Sequence, residues 1–164
     1  MKIIKLAVIS VVVLFLLLTA MASLLPATVR ISRAVNIHAT PQQVSACLRD
    51  LRSWDQWNAY VQAMANPAIA ADSIYSGELS IALHAIRPAS VETVWRQQRN
   101  EKTFTGVFNM TQRDQVTIVQ WYFDFHFKWY PWEKFSSITY DKQVGPQMEQ
   151  SLENLRKVTE KVER

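Results

Sequence analysis

The sequence predicts an α+β domain: an antiparallel sheet covered by one long C-terminal helix, with a single apolar helix ahead of both. Three observations carry that prediction. Between Trp121 and Trp129 the residues Trp121, Phe123, Phe125, Phe127 and Trp129 alternate with Tyr122, Asp124, His126 and Lys128, the period of a strand with one apolar face. Shorter alternating runs precede it, at Leu79 to Ala85, Val91 to Trp95 and Phe104 to Met110, with turn residues between them. Near the end, Met148, Leu152, Leu155, Val158 and Val162 recur at helical spacing. Helices segregated from an antiparallel sheet define the α+β class.

The first element is apolar on all sides. Lys2 and Lys5 precede Leu6 to Leu25, and no charge stands between Lys5 and Arg30. As a helix the segment spans about 30 Å, the thickness of a bilayer's hydrocarbon core. It reads as an uncleaved signal anchor over residues 1–26 or as a cleaved signal peptide, since Ala20-Met21-Ala22 has small-x-small spacing. Apolar continuation through Leu24 and Leu25, then Pro26, favours the anchor. Basic residues before the span place its N-terminus in the cytoplasm. The expected location is the inner membrane, with the domain of residues 27–164 on the exported side.

Thr28 to Ala39 is the first strand, with Val29, Ile31, Val35 and Ile37 on one face and Arg33 as a charged exception on it. Thr40, Pro41 and Gln43 then open a helix as cap, first helical residue and capping-box partner. Val44, Cys47, Leu48 and Leu51 form its apolar stripe. Trp54 and Trp57, three apart, are neighbours on a short second helix. Ala59 to Gly77 has no strong pattern beyond turns at Asn66-Pro67 and Ser76-Gly77. In the strand from Val116 to Trp129, Val116 and Ile118 are out of phase with Trp121, which predicts a bulge near Val119 or Gln120. Phe135 to Tyr140 reads as one more short strand. The last helix is expected from Pro146 to Val162, with Glu153–Lys157 and Glu160–Arg164 as i,i+4 pairs.

Charge and motif content exclude several classes. The formal net charge is +4, and two of the 18 Lys and Arg are Lys2 and Lys5. The domain therefore carries no basic run of the kind nucleic acid requires. Cys47 is the only cysteine, so no intrachain disulfide and no Cys/His zinc pattern is possible. Gly77, Gly106 and Gly145 are isolated, which rules out a phosphate-cradling loop. His38, His84 and His126 stand on separate elements, and no metal site or cofactor is expected. Asp124 and His126 share the outer strand face. Glu133, after Tyr130-Pro131-Trp132, is a candidate acid: it reads first as a surface carboxylate paired with Lys134 or Lys128, and second as a general acid whose pKa aromatic surroundings would raise.

Three stretches resemble the START-like (SRPBCC, helix-grip) superfamily, in its polyketide cyclase/dehydrase-like branch with an N-terminal membrane segment. The run from Arg33 to Val44 resembles that family's opening strand and capped helix. Leu51 to Asn58, with Trp54 and Trp57, resembles its Trp-x-x-Trp turn. Asp141 to Leu155, through Gly145, Glu149 and Leu152, resembles the start of its gripping helix. The resemblance covers most of residues 28–162 and implies a sheet wrapped around the C-terminal helix. The family usually adds a glycine-rich hairpin after the Trp-x-x-Trp turn. Tyr60 to Gly77 lacks those glycines, which leaves open the loss of that hairpin and the size of any cavity.

Together these readings give a membrane-anchored domain that binds an apolar small molecule or a lipid between the aromatic strand face and the C-terminal helix. The expected lining is Trp54, Trp57, Trp95, Phe108, Trp121, Phe123, Phe125 and Phe127, closed by Met148, Leu152 and Leu155. The membrane, through residues 6–25, and an apolar molecule are the expected partners. Two alternatives stand beside it: a cyclase or hydratase-type enzyme, and a ligand-free module that docks a protein at the membrane surface through residues 59–77 and 130–135.

Overall fold

A computed structural model describes residues 2–99 and 101–161. In chain order the elements are α1 (Lys2–Ser23), β1 (Thr28–Ile37), α2 (Pro41–Arg49), a 3-10 turn (Leu51–Gln56), α3 (Ala59–Gln62), β2 (Ala68–Ile69), β3 (Ser73–Tyr75), β4 (Leu79–Arg87), β5 (Ser90–Gln97), β6 (Thr103–Arg113), β7 (Val116–His126) and α4 (Pro131–Lys161). The strands form one antiparallel sheet in the order β1-β7-β6-β5-β4-β3-β2. β1 pairs with β7 from Thr28–His126 to Ile37–Thr117. α4 lies along β1 and also touches α1, α2 and α3. This is the α+β helix-grip arrangement, with an apolar N-terminal helix ahead of it.

Local chemistry explains the elements that the sequence marks clearly. Thr40 Oγ1 accepts from the Gln43 N–H, and Gln43 Oε1 accepts from the Thr40 N–H at 2.8 Å, so the capping box starts α2 where expected. Val44, Leu48 and Leu51 are fully buried. Trp54 and Trp57, also fully buried, lie with ring centroids 4.9 Å apart. Each buries about 150–250 Å², worth roughly 4–6 kcal/mol as an upper bound.

The structure corrects some local expectations and resolves others. β7 runs without a bulge: its registers with β1 and β6 are continuous. Thr117 and Val119, both fully buried, continue the core-facing row of Trp121 and Phe123. The polar Thr117 is tolerated there because its hydroxyl donates to the Ala39 carbonyl at 2.6 Å. β7 also stops at His126, so Trp129 leaves the aromatic row and is 63% exposed. The hairpin after the Trp-x-x-Trp turn is retained in short form as β2 and β3. Phe135 to Tyr140 is helical, because α4 begins at Pro131 rather than Pro146. Finally, the second i,i+4 pair and Val162 fall outside the described residues, whereas Glu153 does meet Lys157 at 3.9 Å and Arg156 at 2.6 Å.

α4 starts early for reasons that act over distance as well as locally. Pro131 occupies the first helical position and Glu133 lies in the first turn. The hydroxyls of Ser136, Ser137 and Thr139 each donate to the carbonyl three residues back, at 2.7, 2.7 and 2.9 Å. These residues are thus satisfied inside the helix. Its inward side recurs every three to four residues, through Ser137, the partly buried Tyr140 and Val144, and then Met148, Leu152, Leu155 and Thr159. Pro146 sits inside the helix and cannot donate to the Lys142 carbonyl.

Candidate functional site

The concave face of the sheet is filled at one end and hollow at the other. At the filled end the 3-10 turn drives two indoles into the sheet. Trp54 and Trp57 meet Phe108 at 5.7 and 6.0 Å, and Phe108 stacks on Trp121 at 4.7 Å. Met148, Leu152 and Leu155 of α4 close this end, all at most 2% exposed. The sequence reading puts these seven residues around a cavity. The structure instead places them in solid core, because rings from the turn occupy the space that the sheet leaves.

At the other end lies a half-enclosed cavity of about 420 Å³, within the range of small-molecule sites. Its apolar wall consists of Trp95, Phe104, Phe123, Phe125 and Phe127 from the sheet side, Leu79 of β4, Tyr60 of α3, and Tyr140 and Val144 of α4. The rings contact one another edge to face: Phe104 and Phe123 lie 5.2 Å apart, Trp95 and Phe123 5.1 Å, Phe125 and Tyr140 5.1 Å. The rim is polar, with Gln97, Glu101, Lys102, Thr103, His126, Lys128, Glu133 and Gln143.

Of the expected lining, Trp95, Phe123, Phe125 and Phe127 are on the wall, and Glu133 is on the rim. Tyr60, Leu79, Phe104, Tyr140 and Val144 are wall residues that the sequence reading does not select. Phe104 carried a usable signal, since it shares a strand face with Phe108 at period two. Tyr140 and Val144 are an i,i+4 pair visible only once α4 is extended to Pro131. His126 reaches the rim because β7 ends there. Asp124 stays on the outer face, where Arg30 Nε and Nη2 donate to its two carboxylate oxygens at 2.7 and 2.8 Å. The structure gives Asp124 an arginine partner there rather than the histidine.

The cavity keeps its charged groups at the rim. Tyr60 and Tyr140 are the two titratable side chains on the apolar wall. Burial pushes the Tyr60 phenol up, so it stays protonated and donates to the Val144 carbonyl at 2.9 Å. Glu133 Oε2 accepts from the Lys128 N–H at 2.8 Å, so one carboxylate oxygen is engaged by the rim backbone. Lys102 Nζ lies 6.0 Å from the centroid of the Phe127 ring. Among the described residues no three His, Cys, Asp or Glu side chains are grouped to hold a metal ion. An apolar hollow with charged groups confined to its mouth suits a molecule with an apolar body and a polar end.

A sheet gripping a C-terminal helix across such a hollow defines a START-like domain of ligand-binding or cyclase type. The chain belongs to the polyketide cyclase/dehydrase and lipid transport family, whose sequence model matches residues 28–160. No curated protein sequence matches it. Solved structures show the same fold at low identity. A protein of unknown function from Staphylococcus aureus is 10% identical with a TM-score of 0.60, over 82% of this chain and 96% of that one. XoxI from Bacillus cereus is 10% identical with a TM-score of 0.56, over 82% and 98%. CalU16 from Micromonospora echinospora is 13% identical with a TM-score of 0.56, over 77% and 71%.

Proposed function

We propose that the domain binds one apolar or amphiphilic molecule of lipid type in the hollow beneath the first half of α4. We further propose that α1 anchors it in the inner membrane with the domain on the exported side. The observation that carries the reading is the split of the aromatic face: one half is filled by Trp54 and Trp57, the other is left open with a polar rim. Filling both halves would bury more apolar surface and stabilise the fold, so an open half fits a site kept for a ligand. α1 supports the anchor by its length and by its unbroken apolar run.

The test is photo-crosslinking of the full chain in native membranes with a fatty acid that carries a diazirine in its acyl chain. Adducts on peptides containing Tyr60, Phe104, Phe125 or Val144 support the reading. Labelling confined to residues 2–23 contradicts it. An alkaline phosphatase fused after residue 164 is active only where the C-terminus is exported, which tests the orientation separately.

A second reading, a cyclase or hydratase-type enzyme, is favoured by the place of Glu133 on the rim. It requires Glu133→Gln to abolish turnover of a bound molecule while leaving its binding intact.

A further inference from the structure

Residues 127–134 form a corner at which the cavity, the end of α1 and three aromatic rings meet. The corner is strapped to the segment that leaves α1: the Phe127 N–H donates to the Ala27 carbonyl at 2.8 Å, and Lys134 Nζ donates to the Leu25 carbonyl at 2.8 Å. Trp129 and Lys134 share a groove of about 260 Å³ with Thr19, Ala22 and Ser23 of the last turns of α1. Phe127 borders both that groove and the cavity. Residues 24–27 alone separate α1 from β1, so the domain has little slack with which to stand away from whatever α1 is embedded in.

The rings at this corner are turned outward. Trp129 and Trp132 are 63% and 62% exposed. Tyr130 stacks on Trp132 at 5.0 Å with the planes 8° apart, and the Trp129 ring lies 4.7 Å from that of Tyr130. Within the folded domain their surface has no cover comparable to that of Trp54, Trp57, Trp95 and Trp121. Tryptophan and tyrosine pair an apolar ring with a polar N–H or O–H, and for that reason they concentrate at the lipid–water interface.

We propose that Trp129, Tyr130 and Trp132 make a second membrane contact, seated in the interface of the bilayer that α1 spans and laying the cavity mouth against its surface. The proposal rests on reading α1 as a membrane span. The occupant is fixed by continuity: the same corner is bonded to residues 25 and 27, within four residues of the end of α1. An acyl chain leaving the bilayer then reaches Phe127 and the cavity without crossing open water.

The test uses the full chain, one copy per lipid nanodisc, with phosphatidylcholine brominated near the top of its acyl chains as a short-range quencher. Discs of the same unbrominated lipid give the reference emission. Relative to these, the brominated discs remove the emission of two of the six tryptophans. The Trp129→Gln/Trp132→Gln variant, checked by near-UV circular dichroism for an intact fold, loses none of its remaining emission. If the chain does not insert into discs at all, the membrane reading fails and this proposal with it. If it inserts and the native emission is unchanged by bromine, this proposal alone is overturned. Quenching that persists in the double variant overturns it too, because other tryptophans then face the lipid. So does protection of Trp132 from acrylamide only in discs that hold two copies, which assigns the rings to self-association.

Discussion

Arg33 of β1 lies across Gly145 of α4. Its Nε donates to Glu149 Oε1 at 2.6 Å and its Nη2 to Asp141 Oδ1 at 2.9 Å. Asp141 and Glu149 stand one turn to either side of Gly145, and a Cβ on Gly145 would collide with Nη2 and lie 3.1 Å from Cζ. The guanidinium thus bridges the helix where Pro146 removes a backbone hydrogen bond. It joins the half of α4 that covers the cavity to the half that closes the core.

Replacing a helical glycine by alanine ordinarily stabilises a protein by about 1 kcal/mol. At Gly145 that gain is expected to be cancelled, because the methyl displaces Arg33 from two half-exposed ion pairs worth roughly 0–1 kcal/mol each. A double-mutant cycle checks this. Gly145→Ala should be near neutral in the native chain and should recover about 1 kcal/mol in an Arg33→Ala background. Equal effects in both backgrounds would remove the bridge from the account.

Gly106 differs in kind, since its neighbours are rigid. A Cβ there would stand 2.7 Å from Phe123 Cε1 and 2.9 Å from both Thr93 Oγ1 and Trp95 Nε1. Trp95 Nε1 donates to Thr93 Oγ1, whose hydroxyl donates to the Gly106 carbonyl, each at 2.9 Å. Gly106→Ala is expected to cost about 1–3 kcal/mol in chemical denaturation, as overpacking does. An unchanged midpoint would show that the rings move aside freely.

The two ends of the aromatic face should respond differently to mutation. Trp54→Phe leaves a gap and an unpaired Leu48 carbonyl, which now accepts from Trp54 Nε1 at 3.3 Å. It should lower stability by about 1–3 kcal/mol and leave ligand labelling unchanged. Val144→Phe, which projects into the hollow, should abolish labelling with little loss of stability. The reverse pattern would mean that the filled end is the binding end.

Stability should fall in acid partly through Glu160. The His38 N–H donates to Glu160 Oε1 at 3.0 Å and holds that carboxyl below the usual carboxylate range. With the folded value below the unfolded one, its contribution is complete above the ordinary glutamate pKa and is lost as pH falls through the folded value. Glu160→Gln should therefore shrink the difference in urea midpoint between pH 7 and pH 3. An undiminished difference would assign the acid response to other carboxylates.

The sequence shows the sheet more clearly than it shows the site. Period-two alternation at Trp121, Phe123 and Phe125 identifies the apolar face, and the Thr40–Gln43 box identifies the start of α2, because both signals are local. What opposes that face is not local. Trp54 and Trp57 fill one end and Tyr60, Tyr140 and Val144 only border the other, a division set by tertiary packing. The first half of α4 is hidden for the same reason. Phe135, Ile138, Thr139 and Tyr140 favour strands, and Gly145-Pro146 reads as a helix start. Long-range bonds flank this stretch: Lys134 reaches the Leu25 carbonyl, and Asp141 and Glu149 hold Arg33, each partner more than 100 residues away.

The occupancy of the cavity tests the account most directly. Native mass spectrometry of the full chain, released from nanodiscs of membrane lipid and followed by organic extraction, should show one apolar adduct per chain. That adduct should be absent from Val144→Phe. A bare protein mass for the native chain, unchanged after incubation with membrane lipids, would contradict the proposed function.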